Sequence, residues 1–296
     1  MPKVAIGIPC FNEEKYIAGP LLSAIQQLDE YSDLVIWVSD NKSTDSSISK
    51  IESVLDAVKS AGNHVTLVER EGIRALDNFW YLFDATDSEY FMWLGGHDQI
   101  SRGYIQRGVT HMTQSLATGL FCGAHRGLTA DGHPYEQEIK YDFSQDNPVE
   151  RYLQSIAQLD NCYVFHSLFR RENLQNYDRA LAPYGADHLI ISHLLWGGKL
   201  HQSTECFFSR RYFSSERRSL KFVADKYPHG RNNVEFYQAY LEGLKQLVQP
   251  LPDLVGEAVL SQAAGLLINR FGLPFLIDTD DSVDTDGSGQ MLMESN

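Results

Sequence analysis

A chain of 296 residues, 43% hydrophobic and 22% charged, can bury a sizeable core and has the composition of a globular protein. A formal net charge of −14 argues against nucleic acid as a partner, because that association relies on Lys and Arg to neutralise phosphates. No apolar run approaches the roughly 18 residues of a membrane span.

Val4-Ala5-Ile6-Gly7-Ile8-Pro9 is a short apolar run suited to a strand buried on both faces. It begins at once, which leaves no stretch for a signal peptide, so a cytoplasmic protein without stable membrane insertion is expected. Ile17, Leu21, Leu22, Ile25 and Leu28 then recur at helical spacing. Leu34-Val35-Ile36-Trp37-Val38 gives a second strand, ending in a turn-prone stretch where Ser43, Thr44 or Asp45 can cap a helix striped by Ile48, Ile51, Val54, Leu55 and Val58. His64-Val65-Thr66-Leu67-Val68 is a third strand, residues 73–85 a helix, and Tyr90-Phe91-Met92-Trp93-Leu94 a fourth strand that runs into Gly95-Gly96-His97-Asp98. A further helix is expected to begin near Ser101. Regular alternation of strand and helix implies right-handed crossovers and a parallel sheet, with ligands beyond the carboxyl ends of its strands.

After residue 122 the pattern loosens. Asp131-Gly132 reads as a hairpin turn, residues 149–157 as a helix, 164–169 as a strand and 187–196 as a helix stopped by Gly197-Gly198. Two more helices are expected at 233–249 and 254–271, split by Pro250 and Pro252. Residues 278–296 are acidic and rich in Ser, Thr and Gly, and read as a disordered, solvating tail. Cys10, Cys122, Cys162 and Cys206 are widely spaced without a C-x-x-C pair, so reduced thiols are expected.

Several residues at these strand ends carry possible chemistry, each beside a plainer explanation. Asp98 offers a hard oxygen and His97 a nitrogen to Mn2+ or Mg2+, and Gly95 and Gly96 allow close backbone approach; equally, Asp98 can cap the next helix. Asp40 can accept the imide N–H of a uracil or make an Asx-turn. Arg70 and Arg74 can meet phosphates or pair with nearby acids, and Asn78 lies on the following helix. Asp187 can act as a general base or serve as a first-turn helix residue. Arg210-Arg211 and Arg217-Arg218 form a basic patch that can clamp a diphosphate. His166, in an apolar run, reads as a core histidine. The chain lacks a G-x-x-x-x-G-K-[ST] loop, a G-x-G-x-x-G after the first strand, a G-x-S-x-G elbow and H-E-x-x-H, which lowers the odds for NTPases, dehydrogenases, hydrolases and zincins.

Ile8-Pro9-Cys10-Phe11-Asn12-Glu13-Glu14-Lys15-Tyr16-Ile17 resembles the opening P-x-[YF]-N-E-E-x-x-[IL] of the inverting GT-A glycosyltransferases of family 2, and Val38-Ser39-Asp40-Asn41-Lys42-Ser43-Thr44-Asp45 resembles their V-x-D-x-x-S-x-D loop. The resemblance is good over about the first 100 residues, patchy to about 210 and absent afterwards. It implies an α/β fold of GT-A type, a Rossmann-like, mostly parallel sheet flanked by helices with a helical C-terminal extension. The divisions expected are a catalytic domain at 1–215 (nucleotide half to about 125, acceptor half 126–215), an extension at 216–277 and the tail.

By the same resemblance, Pro9, Phe11, Glu13, Asp40, Arg74, Asn78, Gly96 and His97 would bind the nucleotide, and Asp98 with His97 would hold Mn2+ or Mg2+ at the diphosphate. Arg210 and Arg211 would hold phosphate, and Asp187 would deprotonate the acceptor for in-line, inverting, hexosyltransferase-type transfer from a UDP-sugar to a glycan or lipid-linked acceptor. Polysaccharide or glycolipid synthesis and a homodimer through the C-terminal helices are further expectations. An Asp-x-Asp motif would place a carboxylate where this chain has Gly96. Two other functions stand beside this one: a sugar-nucleotide nucleotidyltransferase, disfavoured by the two glutamates in the first loop, and a degenerate GT-A domain that binds nucleotide or glycan without turnover.

Overall fold

The computed structural model describes residues 3–58, 63–181, 185–213 and 233–271. The expected tail, the start of the expected extension (216–232), Tyr184, Arg217 and Arg218 lie outside these residues.

Contacts divide the chain into two compact units, the first comprising residues 1–140, 166–173 and 200–213. It is built on a nine-stranded mixed sheet. Its parallel half contains β1 (Val4–Cys10), β2 (Leu34–Asp40), β3 (Val65–Glu69) and β4 (Tyr90–Trp93), in the order β3-β2-β1-β4. The remainder adds β5 (Gln99–Ile100), β6 (Thr118–Leu128), β7 (Pro134–Tyr135), β8 (Leu168–Arg170) and β9 (Lys199–Arg211), continuing β4-β8-β6-β9-β5 with β7 beside β6. Helices α1 (Ala18–Ile25), α2 (Ser47–Ala57), α3 (Ala75–Asp84) and α4 (Tyr104–Gln114) complete this unit.

The apolar runs become strands because a chain buried on both faces needs apolar side chains at every position; β1 and β4 are buried almost throughout. The edge strand β3 is only half-buried. α3 presses Trp80 and Phe83 onto Phe91, Trp93 and Phe169, an aromatic cluster with ring centroids 5.2 to 6.3 Å apart. Each such side chain contributes about 1.5–3 kcal/mol on burial. The indole Nε1 of Trp93 donates to the Phe79 carbonyl at 2.8 Å, so the cluster leaves that polar atom satisfied.

Two local expectations are corrected. The helix expected near Ser101 starts at Tyr104, because Ser101 is held by β9: its N–H donates to the Phe207 carbonyl and its hydroxyl accepts from the Phe207 N–H. Of the strand expected at 164–169, only residues from Leu168 onward pair in the sheet, and Cys162–His166 is a 3-10 turn. A short apolar run fits either conformation, and pairing partners decide. The Asp131-Gly132 turn forms as expected, joining β6 to β7.

The second unit comprises residues 141–165, 174–199 and 214–296, of which the described part contains α5 (Pro148–Gln158), α6 (Ala186–Gly197), α7 (Asn233–Val248) and α8 (Asp253–Phe271). α5 packs on α6, α6 on α7, α7 on α8 and α8 on α5, which closes a ring of four helices. Asn147 caps α5 by accepting the Val149 N–H at 2.9 Å. Arg151 then donates to the Leu195 and Trp196 carbonyls, satisfying acceptors that the end of α6 leaves open. Among the described residues no helix is long and apolar enough to cross a membrane.

Candidate functional site

The parallel strands β3, β2, β1 and β4 end on one edge, and the first two loops there are locked together by short polar side chains. The Asn12 N–H donates to Ser43 Oγ at 2.8 Å, and Asn12 Oδ1 accepts the Thr44 N–H at 2.8 Å. The Glu13 N–H donates to the buried Ser47 hydroxyl at 2.8 Å, and the Glu14 N–H donates to Asp45 at 3.1 Å. Asp45 also accepts the Ser47 N–H at the start of α2, whose N-cap position is Ser46 rather than the expected Ser43, Thr44 or Asp45. Burial raises the Asp45 pKa, but the Ser47 hydroxyl and the backbone N–H groups outweigh it and leave the carboxyl below its usual range. Asn12 and Lys42 both adopt positive φ, of 54° and 63°. Non-glycine residues held in that region need their surroundings to impose it, which here is the interlock itself.

Asp40 is fully buried at the base of this cradle, with one carboxylate oxygen accepting the Ser43 N–H at 2.8 Å and the other the Ser43 hydroxyl. Asp40 thus fastens its own loop, through bonds to the residue three positions on rather than the two of an Asx-turn. Asn41 grips the loop after β3 through two bonds, accepting the Ile73 N–H at 2.8 Å and donating to the Ile73 carbonyl at 2.6 Å. Asn41, Ser43 and Ser47 carry the cradle, a role that the turn-prone sequence does not announce. Phe11 stands on the rim with 56% of its surface exposed. Cys10 lies level with Asp40 in the sheet, and burial, with help from Asp40, pushes its thiol up to about 12, which makes it inert.

At the end of β4 the two glycines are demanded by close packing. A Cβ at Gly96 would lie 2.9 Å from the Pro9 carbonyl oxygen and 3.2 Å from Glu13 Cγ, and one at Gly95 would lie 2.7 Å from Asp98 Oδ2. His97 Nδ1 sits 3.0 Å from Glu13 Oε1, and its ring meets the edge of Phe213. Asp98 is 2% exposed and accepts the Arg211 N–H at 2.9 Å, which ties β4 to the end of β9; it does not cap the next helix. His166 is the core histidine expected: its Nδ1 bonds the Trp93 carbonyl at 3.0 Å, and its ring stacks on Phe208. Burial pushes it down to about 4 against the opposing pull of Asp98.

The cation suggested by the family resemblance does not fit this end of β4. Gly95 and Gly96 contribute no carboxylate, Asp98 is enclosed with Oδ1 taken by the Arg211 N–H and Oδ2 3.8 Å from His166 Nε2, and His97 Nδ1 is engaged by Glu13. Among the described residues no three His, Cys, Asp or Glu side chains are grouped to hold an ion.

Four of the expected ligand residues already have partners within the protein. Arg74 is exposed and forms a two-pronged pair with Asp77, one helical turn on, at 2.8 Å for each prong. Asn78 is buried, accepts from the Ser39 hydroxyl and donates to the Ser39 carbonyl, so it fastens α3 to β2. Arg211 is buried and donates to the carbonyls of His97, Thr129 and Ala130 while stacking over Tyr16. Arg210 is likewise buried, over the Tyr212 ring, and opposes protonation of His125 and His166. Arg70 differs from these. Its guanidinium stacks 3.8 Å from the Tyr81 ring centroid, its backbone N–H holds the Asp40 carbonyl, and its buried Nε has no hydrogen-bond partner among the described residues.

Asp187 lies in the second unit, in the first turn of α6. Its Oδ1 accepts the His188 N–H at 2.9 Å, and its Oδ2 is buried with no hydrogen-bond partner among the described residues. A buried carboxylate oxygen left without a donor is costly, and such groups recur at functional positions.

Comparison with known proteins gives a consistent picture. The family model described as Glycosyl transferase family 2 matches residues 5–178. No curated protein sequence matches the chain. Among solved structures, S. aureus TarS superposes with a TM-score of 0.60 at 14% identity, over 90% of this chain and 44% of that one. This chain thus spans less than half of the longer TarS chain. The 1–349 fragment of TarS in complex with UDP-GlcNAc gives a TM-score of 0.61 at 12% identity, over 90% of this chain and 73% of that one. The same fragment in complex with UDP gives 0.53 at 12%, over 93% and 94%. At these identities the superpositions establish a shared fold.

Proposed function

The chain belongs to glycosyl transferase family 2, and from that premise we propose that it transfers a sugar from a UDP-type donor to an acceptor hydroxyl with inversion. The observation that carries the proposal is the interlocked cradle at the ends of β1 and β2, with Asp40 buried at its base, Phe11 exposed on its rim and Arg70 beside it. Such a cradle costs little to organise when a ligand arrives. The match to a TarS fragment crystallised with UDP-GlcNAc supports uridine as the base, with the rim Phe11 offering a flat apolar surface to it. Arg70, directly after β3, has a buried Nε without a hydrogen-bond partner among the described residues, and it is assigned to the negative charge of the donor.

In the reaction proposed, the acceptor oxygen attacks the anomeric carbon as the carbon–oxygen bond to the diphosphate breaks, and the nucleoside diphosphate departs with that electron pair. The acceptor proton passes to Asp187, whose Oδ2 has the open acceptor capacity this needs. No covalent enzyme intermediate forms, in keeping with the inert Cys10. No step is routed through a cation. The acceptor class proposed is a glycan or lipid-linked hydroxyl.

Thermal stability with a panel of nucleotides tests the donor assignment. A ligand selective for the folded state, at about 100 times its dissociation constant, adds roughly 2.7 kcal/mol. Uridine diphosphate is expected to raise the melting temperature, with the effect reduced in Arg70→Ala. A shift with adenosine or guanosine diphosphate and none with uridine diphosphate would overturn the base assignment. The Gly95-Gly96 departure favours one rival, nucleotide binding without turnover, and release of UDP from a UDP-sugar discriminates against it.

A further inference from the structure

The first turn of α6, which carries Asp187, is clamped by α7, and the clamp is of a specific kind. The residue before the helix, Gly185, has φ of 71°, a conformation that side chains resist, and a Cβ there would lie 2.6 Å from Phe236 Cε2. Phe236 of α7 therefore presses directly on the backbone entering the turn. His188, adjacent to Asp187, is fully buried, with its ring edge-on to Phe236, Tyr240 and Phe271. Its Nε2 faces the Leu159 carbonyl at 3.2 Å, so that nitrogen carries the proton, and Nδ1 accepts from the Tyr240 hydroxyl. The Tyr240 hydroxyl also bonds Ser192 one turn further along α6, and Ser192 bonds Ser155 of α5 at 2.7 Å. Burial holds the His188 ring neutral, as this arrangement of protons requires.

A buried polar network of this kind fixes geometry more than it adds stability, because each member must be satisfied in one arrangement. Here it fixes the rotation of the α6 first turn, and with it the direction of the Asp187 carboxylate. We propose that Tyr240 and Phe236 are positioning residues for the base, so that α7, which lies outside the family match at residues 5–178, is part of the catalytic apparatus. The proposal rests on the assignment of Asp187 as base.

α7 also supplies its own control. Tyr237 is another buried tyrosine of this helix, and its hydroxyl donates to the Leu267 carbonyl of α8 at 3.1 Å. Tyr237→Phe removes a comparable bond, one made to α8.

The experiment is UDP release from UDP-GlcNAc, with water as acceptor, by the full chain and by Asp187→Asn, Tyr240→Phe and Tyr237→Phe. Folding of each is checked by the thermal shift with uridine diphosphate. Asp187→Asn is expected to slow release by about 10²- to 10⁴-fold, the usual worth of a general base. Tyr240→Phe should lower kcat by about 10- to 100-fold with the donor KM unchanged, while Tyr237→Phe stays within about twofold of the parent. Equal rates for the two tyrosine variants, with Asp187→Asn slow, would overturn the positioning role alone. A parent that releases no UDP, or an Asp187→Asn variant as fast as the parent, would instead remove the base assignment. Should Tyr240→Phe fail to fold, Phe236→Leu, which relaxes the contact on Gly185 and leaves the hydrogen bonds in place, is judged by the same criteria.

Discussion

Replacing Gly96 with aspartate would restore the acidic pattern of an Asp-x-Asp motif, and the structure predicts that the chain will not tolerate it. The new Cβ would lie 2.9 Å from the Pro9 carbonyl oxygen, a backbone atom fixed within β1 and unable to swing away, and 3.2 Å from Glu13 Cγ. Forcing atoms into a packed site of this kind costs about 1–3 kcal/mol. At about 2–4 °C per kcal/mol for domains of this size, the melting temperature should fall by about 2–12 °C. Gly96→Ala isolates the steric part, and Gly96→Asp should be at least as destabilised because its carboxylate adds a like charge beside Glu13. Thermal denaturation with and without uridine diphosphate, and with Mn2+ or a chelator, gives both readings from one set of samples. A Gly96→Asp protein as stable as the parent, with a nucleotide shift that has become dependent on Mn2+, would refute the reasoning. It would show that Gly96 is a tolerant position from which a cation ligand had merely been lost.

Three further expectations can be checked directly. In the parent protein the uridine diphosphate shift should be the same with Mn2+ as with a chelator, because the β4 end offers no open ligand set; a shift that vanishes on chelation would contradict this. Arg211→Met should cost about 2–4 kcal/mol in chemical denaturation, because it strips donors from three carbonyls, whereas Arg74→Ala should cost no more than about 1 kcal/mol. If Arg211 were mainly a phosphate ligand, its replacement would weaken nucleotide binding and leave stability untouched. Burial lowers His188 and His193 to about 4 in the folded protein, against about 6.5 when unfolded. Between these values the unfolded chain binds the extra protons, so stability should fall as pH drops from about 6.5 to 4, and His193→Gln should flatten part of that slope. A slope unchanged in His193→Gln would show that the histidine is not held neutral.

The residues of the first hundred positions disclosed the parallel half of the fold because its signals are local. The apolar runs at Val4, Leu34, Val65 and Tyr90 have strand length, the intervening stripes have helical period, and connected strands of this type can run only in parallel. The P-C-F-N-E-E and S-D-N-K-S-T-D segments likewise marked the cradle, since loop chemistry at strand ends is written in consecutive residues. What each polar group does there was decided by tertiary contacts. Asn78, Arg210 and Arg211 look like ligand residues in the sequence, and folding gives each a partner from a distant segment or ring: Ser39 on the adjoining strand, the Tyr212 ring, and the His97 and Thr129 carbonyls, while Arg74 pairs locally with Asp77. The Gly95-Gly96 pair looks like a lost metal motif, and becomes a steric necessity once β4 lies beside β1. The hold of Tyr240 on the turn that carries Asp187 spans 52 residues to His188, and no periodicity records it. A sequence states which groups must be buried or capped along the chain, but the partner of a buried polar group is set by close packing between distant segments, and that is fixed only in three dimensions.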